Sequence, residues 1–208
     1  MTTWFTSDLH FGHANIIEYS GRPFADVEQM NEALIERWND AVQPDDVVWV
    51  LGDVAMGRIA ETLPLVTRLA GRKHLLAGNH DRCWDGHGSK AVEWTQRYLD
   101  AGFSEIHQGA ISMTVGGHVV LACHFPYRGD SQPMDRYPEA RPTDAGAWLL
   151  HGHVHEQWRQ HERMINVGCD AWDCRPVDEA TLAQLIDAGP RDLAPLPPVR
   201  VARPWLSA

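Results

Sequence analysis

Cysteine is sparse in this 208-residue chain, and its four copies are scattered. Cys83, Cys123, Cys169 and Cys174 form no Cys-x-x-Cys unit, so they read as free thiols of a reducing compartment. No apolar run approaches the ~20 residues that a membrane-spanning helix needs, which leaves no expected membrane partner. Positive charge is also short: 18 Lys and Arg stand against 28 Asp and Glu, for a formal net charge of −10. No basic stripe or cluster interrupts that balance, which argues against tracking of an extended nucleic-acid backbone. A glycine-rich phosphate loop and internal repeats are missing as well. Only a strand's length of chain precedes Asp8, so no secretory leader is expected and the reading is cytoplasmic.

What the chain has in quantity is histidine, 12 copies, and several stand in short motifs with Asp or Asn. Five segments follow one another: Asp8-Leu9-His10, Gly52-Asp53, Gly78-Asn79-His80-Asp81, His124, and Gly152-His153-Val154-His155. Each sits where a β-prone apolar stretch gives way to a glycine, a polar residue or a turn. A lone Asp-x-His or strand-end Gly-Asp is usually a turn or a cap; five in order are not explained that way. Carboxylate and imidazole together are borderline ligands that suit Mn, Fe, Zn or Ni. In Asp8-x-His10 and His153-x-His155 the spacing of two puts both side chains on one side of an extended chain. Asp53 follows Val47–Leu51, which reads as a fully buried strand, and offers two carboxylate oxygens to bridge a pair of ions.

At these five segments the chain resembles the calcineurin-like metallophosphoesterase superfamily, over residues 3 to about 180. The nearest type is the small uncapped bacterial and phage phosphoesterase that opens like Phe5 to His13 here. The resemblance implies a dinuclear centre of divalent ions, Mn²⁺ or Fe favoured and Zn²⁺ or Ni²⁺ the alternatives. One ion would take Asp8, His10, Asp53 and His155; the other would take Asp53, Asn79, His124 and His153. It further implies that a hydroxide bridging the metals attacks the phosphate, that His80 serves the leaving oxygen, and that Asp81 orients the His80 ring. Protein serine/threonine phosphatases of the superfamily carry Gly-Asp-x-x-Asp-Arg-Gly, whereas this chain reads Gly52-Asp53-Val54-Ala55-Met56-Gly57-Arg58. The missing Asp-Arg pair turns the expected substrate away from phosphoproteins and toward a small phosphate ester of diester or nucleotide type. Hydrolysis of a pyrophosphate bond in a dinucleotide or nucleotide conjugate is the alternative, and a non-catalytic binding module on the same fold a third reading. His13, Arg22 and Arg128 are candidate substrate contacts, the two arginines as phosphate clamps; His13 reads equally well as a loop histidine.

The pattern along the chain gives an α/β layered fold. Strands are expected at 4–7, 47–51, 74–77, 111–115, 119–123, 148–150 and 164–167. Asp26 caps a helix to Ala41, with Gln29 as in a capping box. Further helices are expected at 59–69, interrupted by Pro64, at 89–101, and at 179–186. Residues 126–146 read as a loop over the site. The resemblance sharpens this to two mixed β-sheets packed as a sandwich and flanked by helices. Residues 1–188 form the domain and 189–208 a Pro-rich tail.

Overall fold

The computed structural model describes residues 1–197; the remainder of the expected Pro-rich tail lies outside the described residues. Ten strands form two five-stranded sheets. The first holds β1 (Thr3–Thr6), β2 (Val47–Val50), β3 (Arg72–Leu76), β4 (Phe103–His107) and β10 (Val177–Asp178), in the order β10-β1-β2-β3-β4. Its four long strands run parallel, and β10 closes one edge antiparallel. The second holds β5 (Ile111–Val115), β6 (His118–Ala122), β7 (Leu149–His151), β8 (Gln160–His161) and β9 (Met164–Asn166), in the order β5-β6-β7-β9-β8. Within it β6, β7 and β9 are parallel.

Alternation along the strands divides the core into two layers. Phe5, Leu51, Leu76, Val120, Leu150 and Ile165 meet between the sheets. Val48, Val50 and Leu75 point the other way, onto Met30, Leu34 and Trp38 of the helix Val27–Ala41. β2 is therefore not buried throughout as expected: Val47 and Trp49 are only half-buried, and Trp49 sits at the rim of the inter-sheet layer.

The local rules hold at the helices. The Asp26 side chain accepts from the Gln29 amide, and the Gln29 side chain reaches back to the Ala25 amide, one residue short of a standard capping box. Pro64 splits the expected 59–69 helix into a single α-turn and a 3₁₀ segment, Leu63–Arg68. Asp178 caps the last helix, Glu179–Asp187, through the Thr181 amide. The expected tail is irregular over its described part but is held down. Leu193 pairs with Gln160, and Asp192 bonds His161.

The arrangement has one consequence for function. β1, β2 and β3 in one sheet, and β6, β7 and β9 in the other, deliver their C-terminal ends to a common rim. In α/β sheets that is where ligands bind, and all five motif segments lie there.

Candidate metal centre

The segments leave their strands through backbone that side chains rarely adopt. Asp8, His10, Asp53, His153 and His155 all have φ between +51° and +73°. Non-glycine residues in the left-handed region are uncommon and gather at functional sites. The even spacing within Asp8-x-His10 and His153-x-His155 thus brings the side chains together through residues of left-handed φ rather than through regular extended chain. Backbone hydrogen bonds weld the turns to one another. The amides of Asp8 and His10 donate to Gly52 and Asp53, and the His153 amide donates to the Asp8 carboxylate. Two glycines permit the close approach. A Cβ at Gly78 would stand 2.4 Å from Asp53 Oδ1, and one at Gly152 would stand 2.0 Å from Ser7 Oγ.

The side chains converge on one oxygen. Asp53 Oδ2 lies 3.6 Å from His10 Nε2 and 3.5 Å from His124 Nε2. The other oxygen, Oδ1, is occupied by the His80 amide at 2.9 Å. Asp53 thus presents Oδ2 to both histidines, while Oδ1 already accepts one backbone hydrogen bond. On one side of it, Asp8, His10 and His155 place ligand atoms within 4.8 Å of one another. On the other, His124 Nε2 lies 3.1 Å from Asn79 Oδ1, and the His124 and His153 rings are 5.2 Å apart. All seven of these residues are buried.

The donors suit divalent cations. His10 is 1% exposed, and neither of its ring nitrogens has a hydrogen-bond partner. Burying such groups unpaired is costly, and a cation shared with Asp8 and Asp53 would satisfy the one that faces them. Burial, reinforced by the neighbouring His155, holds the His10 imidazole well below its usual pKa, in the neutral form that ligates. His124 Nδ1 bonds the Leu51 carbonyl at 2.7 Å, leaving Nε2 to face Asp53.

Two carboxylates that the motifs did not reveal hold the outer nitrogens of the remaining histidines. Asp170 Oδ2 bonds His155 Nδ1 at 2.9 Å, and Asp130 Oδ2 bonds His153 Nε2 at 2.9 Å. Such partners fix ring orientation and raise ligand basicity. Burial opposes protonation of His155, but the Asp170 hydrogen bond and the Asp8 charge outweigh it and lift the imidazole to about 9. Burial likewise opposes ionisation of Asp170, yet Arg22 and His155 hold it well below the usual carboxylate range. Neither acid belongs to a recognisable motif. Asp130 lies in the 126–146 loop and Asp170 in the turn after β9, so only the fold brings them in.

Several expected roles change. Arg22 is not a phosphate clamp: it is buried beneath the centre, in a two-pronged pair with Asp170 at 2.7 and 3.0 Å. Its Nη groups also donate to the Asp8 and Leu9 carbonyls and to the sulfur atoms of Cys169 and Met30. Asp81 does not orient His80. Its carboxylate takes the amides of Gly78, Asp53 and Val54 and the Tyr98 hydroxyl, tying the second motif loop to the third. Burial and the Asp53 charge push Asp81 up to about 6. Arg128 is half-exposed and already paired with Asp144 and Glu162. Arg136 and Arg141 of the same loop pair with Asp130, so they compensate an acid behind the centre. His80 and His13, by contrast, reach the open side: the His80 side chain is 38% exposed with Nε2 4.0 Å from Asp53 Oδ2, and both rings stand 5.4 Å from that of His10.

Buried carboxylates and imidazoles at the strand ends of a two-sheet α/β frame are the makings of a metallohydrolase. The chain belongs to the calcineurin-like phosphoesterase superfamily, whose domain model matches residues 1–185. It is a metal-dependent phosphoric ester hydrolase. Among its relatives, the Gene 66 protein of Mycobacterium phage L5 is 37% identical over 188 residues, covering 82% of this chain and 87% of the phage protein. The Gene 66 protein of Mycobacterium phage D29 is 39% identical over 189 residues, covering 85% and 92%. The crystal structure of a protein of unknown function from Aquifex aeolicus matches with a TM-score of 0.67 at 24% identity, over 88% of this chain and 98% of that one. That likeness shows the shared fold.

Proposed function

We propose that the chain is a dinuclear hydrolase of small phosphate esters, acting on phosphodiesters or nucleotide-type phosphates. The observation that carries the reading is the position of Asp53 Oδ2, about equally far from His10 Nε2 and His124 Nε2 at 3.6 and 3.5 Å. Asp8, His10, Asp53 and His155 would hold one ion; Asp53, Asn79, His124 and His153 would hold the other. The mixed carboxylate, amide and imidazole set favours Mn²⁺ or Fe, with Zn²⁺ and Ni²⁺ as alternatives. When bound, such a pair activates water at neutral pH and neutralises charge on the phosphate oxygens.

The remaining work falls to the chain's own side chains. The His80 backbone N–H donates to Asp53 Oδ1, and its ring stands on the open side of the centre. From there Nε2 donates to the leaving oxygen as the phosphorus–oxygen bond breaks. His13, whose ring stands 5.4 Å from that of His10 on the same side, offers a second contact to the ester. Arg22 and Asp81 act one layer down, by holding the turns that carry the ligands. The absent Asp-Arg pair after Asp53 disfavours a phosphoprotein substrate. A cytoplasmic setting agrees with four free cysteines, and no helix among the described residues is long and apolar enough to cross a membrane.

Turnover of bis(p-nitrophenyl) phosphate, p-nitrophenyl phosphate and a dinucleoside polyphosphate with added Mn²⁺ tests the reading. The diester should be cleaved at least as fast as the monoester; preferential cleavage of the polyphosphate would move the assignment to a pyrophosphohydrolase. His80→Ala should retain both ions and lose ~10²–10⁴-fold in rate, as loss of one proton-transfer group does. No turnover of any ester by the metal-loaded wild type would reject the enzyme reading.

A further inference from the structure

A second group of metal-type ligands lies away from the strand-end centre, on the first sheet. His74 of β3 and Glu105 and His107 of β4 place one ligand atom each within 4.8 Å of the others. Their convergence is a consequence of register. The pairing of β3 with β4 shifts between Lys73 and His74, so His74 stands opposite Glu105. The shift turns Glu105 and His107 to the face that carries His74 and Trp49, while Phe103 and Ile106 pack in the other layer.

We propose that His74, Glu105 and His107 form a separate binding site for a borderline divalent cation of the Zn²⁺ type. The spacing supports it. His74 Nδ1 and His107 Nε2 approach the same atom, Glu105 Oε2, at 3.4 and 3.2 Å. Ligands about 2.0–2.1 Å from a tetrahedral zinc ion stand roughly 3.3–3.4 Å from one another. Two of the three edges therefore already have tetrahedral length, and a side-chain adjustment closes the third. His74 Nδ1 is buried and meets no group in hydrogen-bonding geometry, although it lies beside Glu105. A cation satisfies that nitrogen. The Trp49 ring stacks on His74 at 4.9 Å and leans on His107 at 5.1 Å, which holds both imidazoles on the carboxylate. Glu105 is 60% exposed on its side chain, so the site opens to solvent and water completes the coordination. Two imidazoles and one carboxylate are the ligand set of known three-ligand zinc sites. Bound there, the ion pins the edge strand β4 to β3.

The test is metal uptake measured against the strand-end centre. After equilibrium dialysis against Zn²⁺, the wild type should hold one ion per chain more than a His74→Gln/His107→Gln variant. The two proteins should hydrolyse the diester equally after Mn²⁺ loading. Glu105→Gln changes a single exposed side chain and should lower affinity at this site at least tenfold with an unaltered circular dichroism spectrum. In an Asp53→Ala background the extra ion should persist and should vanish on adding His107→Gln, whatever becomes of the dinuclear centre. Equal uptake by wild type and the double variant would overturn the proposal and leave an ordinary carboxylate shared by two histidines.

Discussion

Arg22 has five donor groups' worth of work and spends none of it on solvent. Its guanidinium holds Asp170, two carbonyls of the first motif loop and the sulfur atoms of Met30 and Cys169. Through Asp170 it acts on His155, whose outer nitrogen is taken by the same carboxylate. A charge this enclosed is kept by its partner, and removing one member of a buried pair typically costs about 3–5 kcal/mol because the other is left uncompensated. Arg22→Ala should therefore destabilise the fold by about that amount in urea unfolding, because Asp170 stays behind. A phosphate clamp would behave otherwise, raising KM at unchanged stability. A stability change under 1 kcal/mol with a raised KM would return Arg22 to the substrate side.

At the scale of elements, the ligand-bearing turns matter more than the strands that feed them. Strands and helices were largely legible in the sequence, because apolar runs, the Asp26 cap and the Pro64 interruption are local signals. β4, β8 and β10 were not. The first carries Ser104, Glu105 and His107 in place of an apolar run, and the other two are two-residue edge strands. The motif residues were legible as a set, but the turn geometry was not, since left-handed Asp and His are held by contacts between distant loops. Asp130 and Asp170 were invisible for the same reason. Asp81 is the clearest such contact, one carboxylate accepting three amides from two loops. Asp81→Ala leaves those buried donors unpaired at ~1–3 kcal/mol each. The variant should lose about 3 kcal/mol or more and bind metal more weakly, with Asp53 and Asn79 no longer held in register. Calorimetric unfolding and metal titration would show this; unchanged metal affinity would mean the loops need no such tie.

Among the described residues, the candidate centre is a place where polar groups connect the two sheets. Asp8 follows a strand of the first sheet and accepts from His153 of the second, while His124 of the second bonds Leu51 of the first. Ser7 and Gly168 add a backbone bridge at the same rim. An ion held by Asp53 and Asn79 from one side and by His124 and His153 from the other would fasten the sheets together at a point where buried acids and imidazoles otherwise meet without a cation. Ions that bind only the folded chain add RT ln(1 + [L]/Kd), about 2.7 kcal/mol each at a hundredfold excess over Kd. For a chain of this size that corresponds to roughly 5–10 °C in Tm per ion. Chelation of the metal-loaded protein should lower Tm by about that much for each ion removed, in a single cooperative transition, and Mn²⁺ should restore it. Asp53→Ala should lose most of this response, since both sites share its carboxylate, and should keep only the part that comes from an ion on His74, Glu105 and His107. A Tm that stays constant while elemental analysis records loss of both ions would show that the two sheets hold together through the apolar layer alone, and that the centre contributes chemistry without contributing to the fold.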